Sequence, residues 1–72
     1  MVFAENLKEL RRERNLSQEG LAELLGVSRQ AVSKWEQGRS CPDIAILDEI
    51  ADALGISLFE LLGMEKSAKN SS

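Results

Sequence analysis

Residues 17–39 constrain the fold more than any other part of the chain, because they predict two short helices joined by a tight turn. Ser17 and Ser28 each precede a helical pattern, where a serine hydroxyl accepts from an otherwise unpaired backbone N–H. Gly26 follows the last apolar residue of the first pattern and suits the left-handed conformation that ends a helix. The turn from Gly26 to Ser28 has the length expected of a helix-turn-helix unit.

The apolar residues of both predicted helices recur at helical spacing, which assigns them to a core. In the first helix they are Leu21, Ala22, Leu24 and Leu25. In the second, predicted from Arg29 to Gln37, Val32 and Trp35 face inward. The opposite face of that second helix is polar and nearly free of acid, with Gln30, Ser33, Lys34 and Gln37 at its centre and Arg29 at its border.

This polar face has the chemistry of major-groove readout. Arginine suits guanine O6 and N7, glutamine suits adenine N6 and N7, and lysine suits guanine or phosphate. The small Ser33 stands between longer donors, so the helix backbone is able to approach another surface closely. The residues predicted to read bases are Arg29, Gln30, Ser33 and Lys34.

The motif Q-x-x-x-A-x-x-x-G-V-S-x-x-x-V-S-x-W-E, which runs from Gln18 to Glu36, resembles the helix-turn-helix of the phage-repressor-like (xenobiotic-response-element) family of regulators. The match continues through E-Q-G-R-S-C-P-D and L-D-E-I-A-D-A-L-G-I-S-L-F-E-L-L, so it covers roughly residues 5 to 62. The resemblance implies an all-α, compact, five-helix domain of the lambda-repressor-like kind, with the helix-turn-helix formed by helices two and three.

The resemblance also implies a function: sequence-specific binding to double-stranded DNA by a transcriptional regulator, most simply a repressor that occludes a promoter. Helix three would enter the major groove, and the predicted phosphate contacts are Gln18, Ser28, Arg39 and Ser40. Two alternatives stay open: Gln18 as a solvent-facing residue, and Arg39 as an ordinary solvated loop arginine. A homodimer on an inverted-repeat operator, with half-sites about 10 bp apart or a multiple of that, is the geometric expectation.

Arg11 is expected to pair with Glu36 and so tie helix one to helix three, as the family pattern suggests. Glu36 winds onto the inner half of its helix beside Val32, where a carboxylate needs a partner. The alternative is that Glu36 leans out to water. For Arg12 and Glu13 a solvated helix face is the expectation.

The rest of the chain predicts three more helices. Helix one covers residues 3–14 and ends at Asn15, and helix four runs from Asp43 to Leu54 and ends at Gly55. The last helix begins at Ser57. The predicted core stripe of helix four is Ile44, Leu47, Ile50, Ala51 and Leu54, and that of the last helix is Leu58, Leu61 and Leu62.

Ile46 falls off the core stripe of helix four, and Phe59 occupies a position that is usually polar in the family. Ile46, Phe59 and Met64 are therefore candidates for a dimer interface. The alternative is that Phe59 folds back onto Leu62.

Two further residues depart from expectation. Gly20 stands in the first turn of helix two, where a better helix former is expected, and close approach of another backbone is one explanation. Cys41 is expected to be a semi-buried thiol in the loop before Pro42, with redox sensing as the alternative.

Composition bounds the remaining possibilities. Seventy-two residues make one domain at most, here 1–64, with 65–72 as a flexible tail or the start of a linker. One cysteine and no histidine exclude a zinc site of the Cys/His kind, and the sequence indicates no other metal and no cofactor. No run approaches the roughly 20 apolar residues that cross a bilayer, so a cytoplasmic protein, nucleoid-associated when bound, is expected.

The formal net charge of −3 argues against DNA binding if the chain is averaged, but the charge is unevenly distributed. Seven of the nine basic residues lie within residues 1–40, where the helix-turn-helix motif is: Lys8, Arg11, Arg12, Arg14, Arg29, Lys34 and Arg39. The net acidity still leaves a second class open, a helical protein-interaction module such as an antitoxin or anti-repressor partner. An enzyme is not expected, because no constellation offers a base and a nucleophile to a pocket.

Overall fold

The structure of the protein, a computed structural model, describes residues 3–63 and is helical, with no strand among these residues. Its five helices confirm the predicted all-α class. They are α1 (Phe3–Glu13), α2 (Gln18–Leu25), α3 (Arg29–Glu36), α4 (Ile44–Leu54) and α5 (Leu58–Leu61). The boundary predicted at residue 64 and the tail 65–72 lie outside the described residues.

The predicted helix starts and stops are confirmed by the hydrogen bonds of the helix ends. Ser17 Oγ accepts from Gly20 N at 2.9 Å, and the equivalent cap of α3 is Ser28 Oγ with Ala31 N at 3.2 Å. Asp43 and Ser57 cap α4 and α5 in the same way. At the other ends, Gly26 ends α2 with φ 72°, and Asn15 follows α1 with φ 58°. Local chemistry thus sets the start of α2, α3, α4 and α5 and the end of α1 and α2.

The core lies between all five helices, and α2 contributes to it while packing against α3 and α4. Its centre is formed by side chains with no exposed surface: Leu7, Leu21, Val32, Ile50 and Leu61. Because α3 gives Val32 and Trp35 to this core, the opposite face of α3 is held toward solvent.

Two apolar residues assigned to the core are exposed, which corrects the prediction. Leu24 is 61% exposed, because Leu21, Ala22 and Leu25 already fill the inner face of α2. Ile44 is 67% exposed: it occupies the first turn of α4, one turn before Leu47, the first buried residue of that helix.

Asn6 of α1 and Arg14, which directly follows α1, bind the C-terminal ends of two other helices. Arg14 Nε donates to the carbonyl oxygen of Leu54 at 2.6 Å, at the end of α4. Asn6 Nδ2 donates to the carbonyl oxygens of Leu61 at 3.2 Å and Glu60 at 3.4 Å, in α5. The carbonyls of the last turn of a helix lack partners within that helix, and these side chains supply donors there. The carbonyl oxygen of Glu60 also accepts from Gly63 N at 3.1 Å.

Gly20 lies where two side chains, not another backbone, come close. A Cβ built at Gly20 would stand 3.3 Å from Ser17 Oγ and 3.5 Å from Leu16 Cδ2. The suggested approach of a backbone is therefore wrong. Both neighbours are ends of side chains, which shift more easily than a backbone does.

None of the helices within residues 3–63 has the length and apolar character needed to cross a membrane.

Candidate nucleic-acid interface

The turn between α2 and α3 sets the orientation of α3 relative to α2. Val27 N donates to the carbonyl oxygen of Ala22 at 3.0 Å, which closes the end of α2 after Gly26. Ser28 then caps α3, and Val32 and Trp35 anchor it one and two turns later. The exposed side chains that this arrangement leaves on the outer face are Arg29, Gln30 and Lys34.

Glu36 and Arg11 form a bidentate ion pair between α3 and α1. Arg11 Nε lies 2.6 Å from Glu36 Oε2, and Arg11 Nη2 lies 3.1 Å from Glu36 Oε1. The two side chains are 11% and 3% exposed, so Glu36 does not lean out to water. The remaining nitrogen of the guanidinium, Nη1, donates to the carbonyl oxygen of Leu16 at 2.7 Å. The only acid of α3 is thus neutralised away from its outer face.

Gln18 braces this ion pair. Its Nε2 donates to Glu36 Oε1 at 3.0 Å, and the residue is half-buried, so it is not a solvent-facing residue. The side-chain nitrogen is therefore engaged within the protein. For a phosphate contact, Gln18 retains its backbone N–H, which stands at the first position of α2 and has no acceptor within that helix.

The other three residues predicted to contact phosphate, Ser28, Arg39 and Ser40, are all exposed. They lie at the start of α3 and just after its end. Ser28 Oγ is used as an acceptor in the cap, which leaves its hydroxyl hydrogen available to donate. Arg39 N donates to the carbonyl oxygen of Lys34 at 2.9 Å, so the backbone after Gly38 folds back onto α3.

Gln37 links a residue predicted to read bases with one predicted to contact phosphate, and it was not itself among the predicted site residues. Its Nε2 donates to Ser33 Oγ at 2.8 Å, and its Oε1 accepts from Arg39 Nη1 at 3.4 Å. The signal in the sequence is the spacing of Ser33 and Gln37, since residues four apart meet on one helix face. Ser33 itself is half-buried.

Cys41 is exposed, which corrects the expectation of a semi-buried thiol. It lines an apolar groove of about 260 Å³ between the start of α1 and the loop after α3, together with Phe3 and Trp35. Within the described residues, no group of acidic, cysteine or histidine side chains is arranged to hold a metal ion.

The three residues predicted for a dimer interface differ in how exposed they are. Phe59 is 62% exposed, so most of its ring is open to solvent. Ile46 is half-buried and packs against the core, which leaves less of it for a partner. Met64 lies outside the described residues.

A capped polar helix, anchored by its inner face and following a glycine-ended helix, defines a helix-turn-helix DNA-binding domain. The comparisons agree. The chain belongs to the helix-turn-helix family HTH_3, whose model matches residues 7–61, and members of this family among its relatives are transcriptional regulators.

Three similar proteins, two regulators and one enzyme, contain a domain that matches this chain. The transcriptional activator BcrR of Enterococcus faecalis is 46% identical over 66 residues, which are 92% of this chain and 32% of BcrR. The DNA-binding domain of the P22 c2 repressor has a TM-score of 0.81 at 29% identity and covers 86% of this chain and 82% of that domain. Hydroxypropylphosphonic acid epoxidase of S. wedmorenis has a TM-score of 0.77 at 37% identity, covering 82% of this chain and 31% of the epoxidase.

The chain therefore spans about a third of BcrR, and it spans 59% and 56% of two regulators of Bacillus subtilis.

Proposed function

We propose that this protein binds double-stranded DNA sequence-specifically and regulates transcription, with α3 in the major groove. The observation that carries the proposal is the composition of the outer face of α3. Arg29, Gln30 and Lys34 are exposed there, while the one acid of the helix, Glu36, is held on the inner side by Arg11. A face with unpaired basic and amide donors and no free acid fits the major groove, where base edges present acceptors and backbone phosphates are near.

The residues divide into two roles. Arg29, Gln30, Ser33 and Lys34 read base edges. Gln18, through its backbone N–H, together with Ser28, Arg39 and Ser40, contacts the phosphates on either side and sets the position of α3. Arg11 and Glu36 hold α3 at the angle that this requires.

Binding as a homodimer to an inverted-repeat operator is part of the proposal. A single α3 of eight residues reads only a few base pairs, and two-fold symmetry doubles that length. Exposed Phe59 on α5 supports an interface at this end of the domain. The half-sites would then lie about 10 bp apart, or a multiple of that.

Repression by promoter occlusion is the simplest mode of regulation for such a protein, because it requires no contact beyond the DNA itself. The likeness to the P22 c2 repressor supports it, whereas BcrR is an activator. The place of action is the nucleoid in the cytoplasm. No catalytic role is proposed.

A protein-interaction module without DNA binding is the second candidate. The net charge of −3 favours it, and so do the exposed apolar side chains of Leu24, Ile44 and Phe59. The unpaired basic groups on the outer face of α3 favour the first candidate.

A salt titration of binding to random duplex DNA separates the two. A DNA-binding protein that neutralises several phosphates shows a linear decline of log K with log salt concentration. We expect that decline here, and selection of duplexes from a random pool should then yield a palindromic consensus. Absence of salt-dependent binding together with an unenriched pool would contradict the proposed function.

A further inference from the structure

We propose that Lys8 of α1 is a further phosphate contact, which binds the DNA backbone alongside the loop after α3. The inference rests on the proposed function and adds a phosphodiester-binding position outside the helix-turn-helix. This position belongs to the flank of α1 formed by Ala4, Lys8 and Arg11, here called the α3-side flank.

Two residues of α1 show which side of that helix lies toward α3. Ala4 lines the apolar groove of about 260 Å³ together with Ser40, which belongs to the loop after α3. Arg11, further along α1, pairs with Glu36 at the end of α3. Lys8 stands between them, and residues three and four positions apart are neighbours on a helix surface. Lys8 therefore lies on the α3-side flank, near the loop that carries Ser40.

The exposed charges of α1 are sorted around its axis. With 3.6 residues per turn, Lys8 lies about 40° from Ala4 and about 60° from Arg11. The three acids of α1 are all exposed and lie on the other side of Lys8, away from α3: Glu5, Glu9 and Glu13. Lys8 is therefore the exposed charge of α1 nearest to α3, and the acids point away from the surface proposed to bind DNA.

The ammonium group of Lys8 is available to bind an anion. Its side chain is exposed, and within residues 3–63 it has no hydrogen bond or ion pair. Arg12, one turn further along α1, carries the same charge, and like charges at this spacing repel each other. Each DNA strand carries a phosphate about every 3.4 Å along the helix axis. A strand that contacts Arg39 and Ser40 therefore brings further phosphates to the α3-side flank.

The test replaces single phosphates of the selected duplex by uncharged methylphosphonates and compares the full chain with its variants. For the unaltered protein, replacing the phosphate that Lys8 binds should weaken binding. Lys8→Gln should make binding insensitive to that one replacement, while the other sensitive phosphates and the preferred sequence stay the same. This variant should also lower the slope of log K against log salt concentration by about 0.9, the value for one phosphate contact, on selected and random duplexes alike.

Arg12→Gln is the matched control, because it removes the same charge from the same helix at a position about 80° from Ala4. It should leave the set of sensitive phosphates unchanged. The same sensitive phosphates for Lys8→Gln as for the unaltered protein, with or without a change of slope, would overturn the inference and leave the proposed function intact. An unaltered protein with no salt-dependent binding and no enriched sequence would instead overturn the proposed function, and this inference with it.

Discussion

Glu36 shows how a single buried residue shapes the face that α3 turns outward. Its carboxylate accepts two hydrogen bonds from Arg11 and one from Gln18. Without these partners a carboxylate would turn toward water, which here means toward the outer face of α3. The ion pair thus stabilises the fold and also keeps negative charge away from the face of α3 that is proposed to bind DNA.

Arg11→Ala should lower the free energy of unfolding by roughly 3 kcal/mol or more, because it leaves Glu36 buried without its main partner. Thermal or urea unfolding measures this loss. Arg12→Ala is the matched control, since Arg12 is adjacent and exposed, and its effect should stay within about 0.5 kcal/mol. A melt of Arg11→Ala that coincides with that of Arg12→Ala would refute the buried pair.

Substitution of Gly20 within α2 and of Gly26 at its end tests how the backbone conformation of each glycine affects stability. Gly20→Ala should stabilise by about 0.5 to 1 kcal/mol, because alanine favours the helix and only the side chains of Ser17 and Leu16 must shift. Gly26→Ala should destabilise by about 1 kcal/mol, because φ is 72° there. We expect the denaturant midpoint of Gly20→Ala to lie above that of the parent protein and the midpoint of Gly26→Ala to lie below it. Two shifts in the same direction would contradict the account.

At the scale of the elements, the helix bounds that the sequence predicted agree with the structure to within one residue. Serine, aspartate and glycine act locally at those positions, so their effect is readable from neighbouring residues alone. The exposure of Ile44 and Leu24 was not readable, because periodicity gives the face of a helix but not where the helix extends past its neighbours. The bonds from Asn6 and Arg14 to distant helix ends were equally hidden, since they join residues 40 or more positions apart.

Asn6→Ala should loosen α5, a single helical turn whose C-terminal carbonyls Asn6 holds. We expect a loss of about 1 kcal/mol in stability and faster hydrogen exchange at the amides of Leu61 and Leu62, since their turn loses its external donor. Exchange in α3 should change less, because Val32 and Trp35 anchor it independently. Equal acceleration in both helices would show that Asn6 acts on the whole fold and not on α5.

For the whole molecule, the sequence predicted the fold chiefly because one motif spans the centre of the chain. The residues assigned to contact DNA stay a prediction. The bond between Gln37 and Ser33 is readable from their spacing of four residues. The bonds of Gln37 with Arg39 and of Gln18 with Glu36 were not predictable, because they depend on the angle at which loops and helices meet. The acidic net charge of −3 coexists with a basic face because Arg29, Lys34 and Arg39 lie on one side and Glu36 is turned inward.

Phe59→Ser tests the proposed homodimer. If Phe59 lies in the interface, removing its 62% exposed ring should weaken self-association by roughly 1 kcal/mol or more. Equilibrium sedimentation measures the dimer constant, and Leu24→Ser, another exposed apolar position on a different helix, is the control. A dimer constant that Phe59→Ser leaves unchanged excludes this side chain from the interface.

The most direct test of base reading by α3 compares Arg29→Ala with Arg39→Ala on the selected duplex and on random DNA. Arg29→Ala should cost about 1 to 3 kcal/mol on the selected duplex, with a smaller loss on random DNA, and relax the preferred sequence. Arg39→Ala should weaken binding to both duplexes and lower the slope of log K against log salt by about one unit on each. Equal losses on the selected and the random duplex for Arg29→Ala would contradict the claim that the outer face of α3 reads bases.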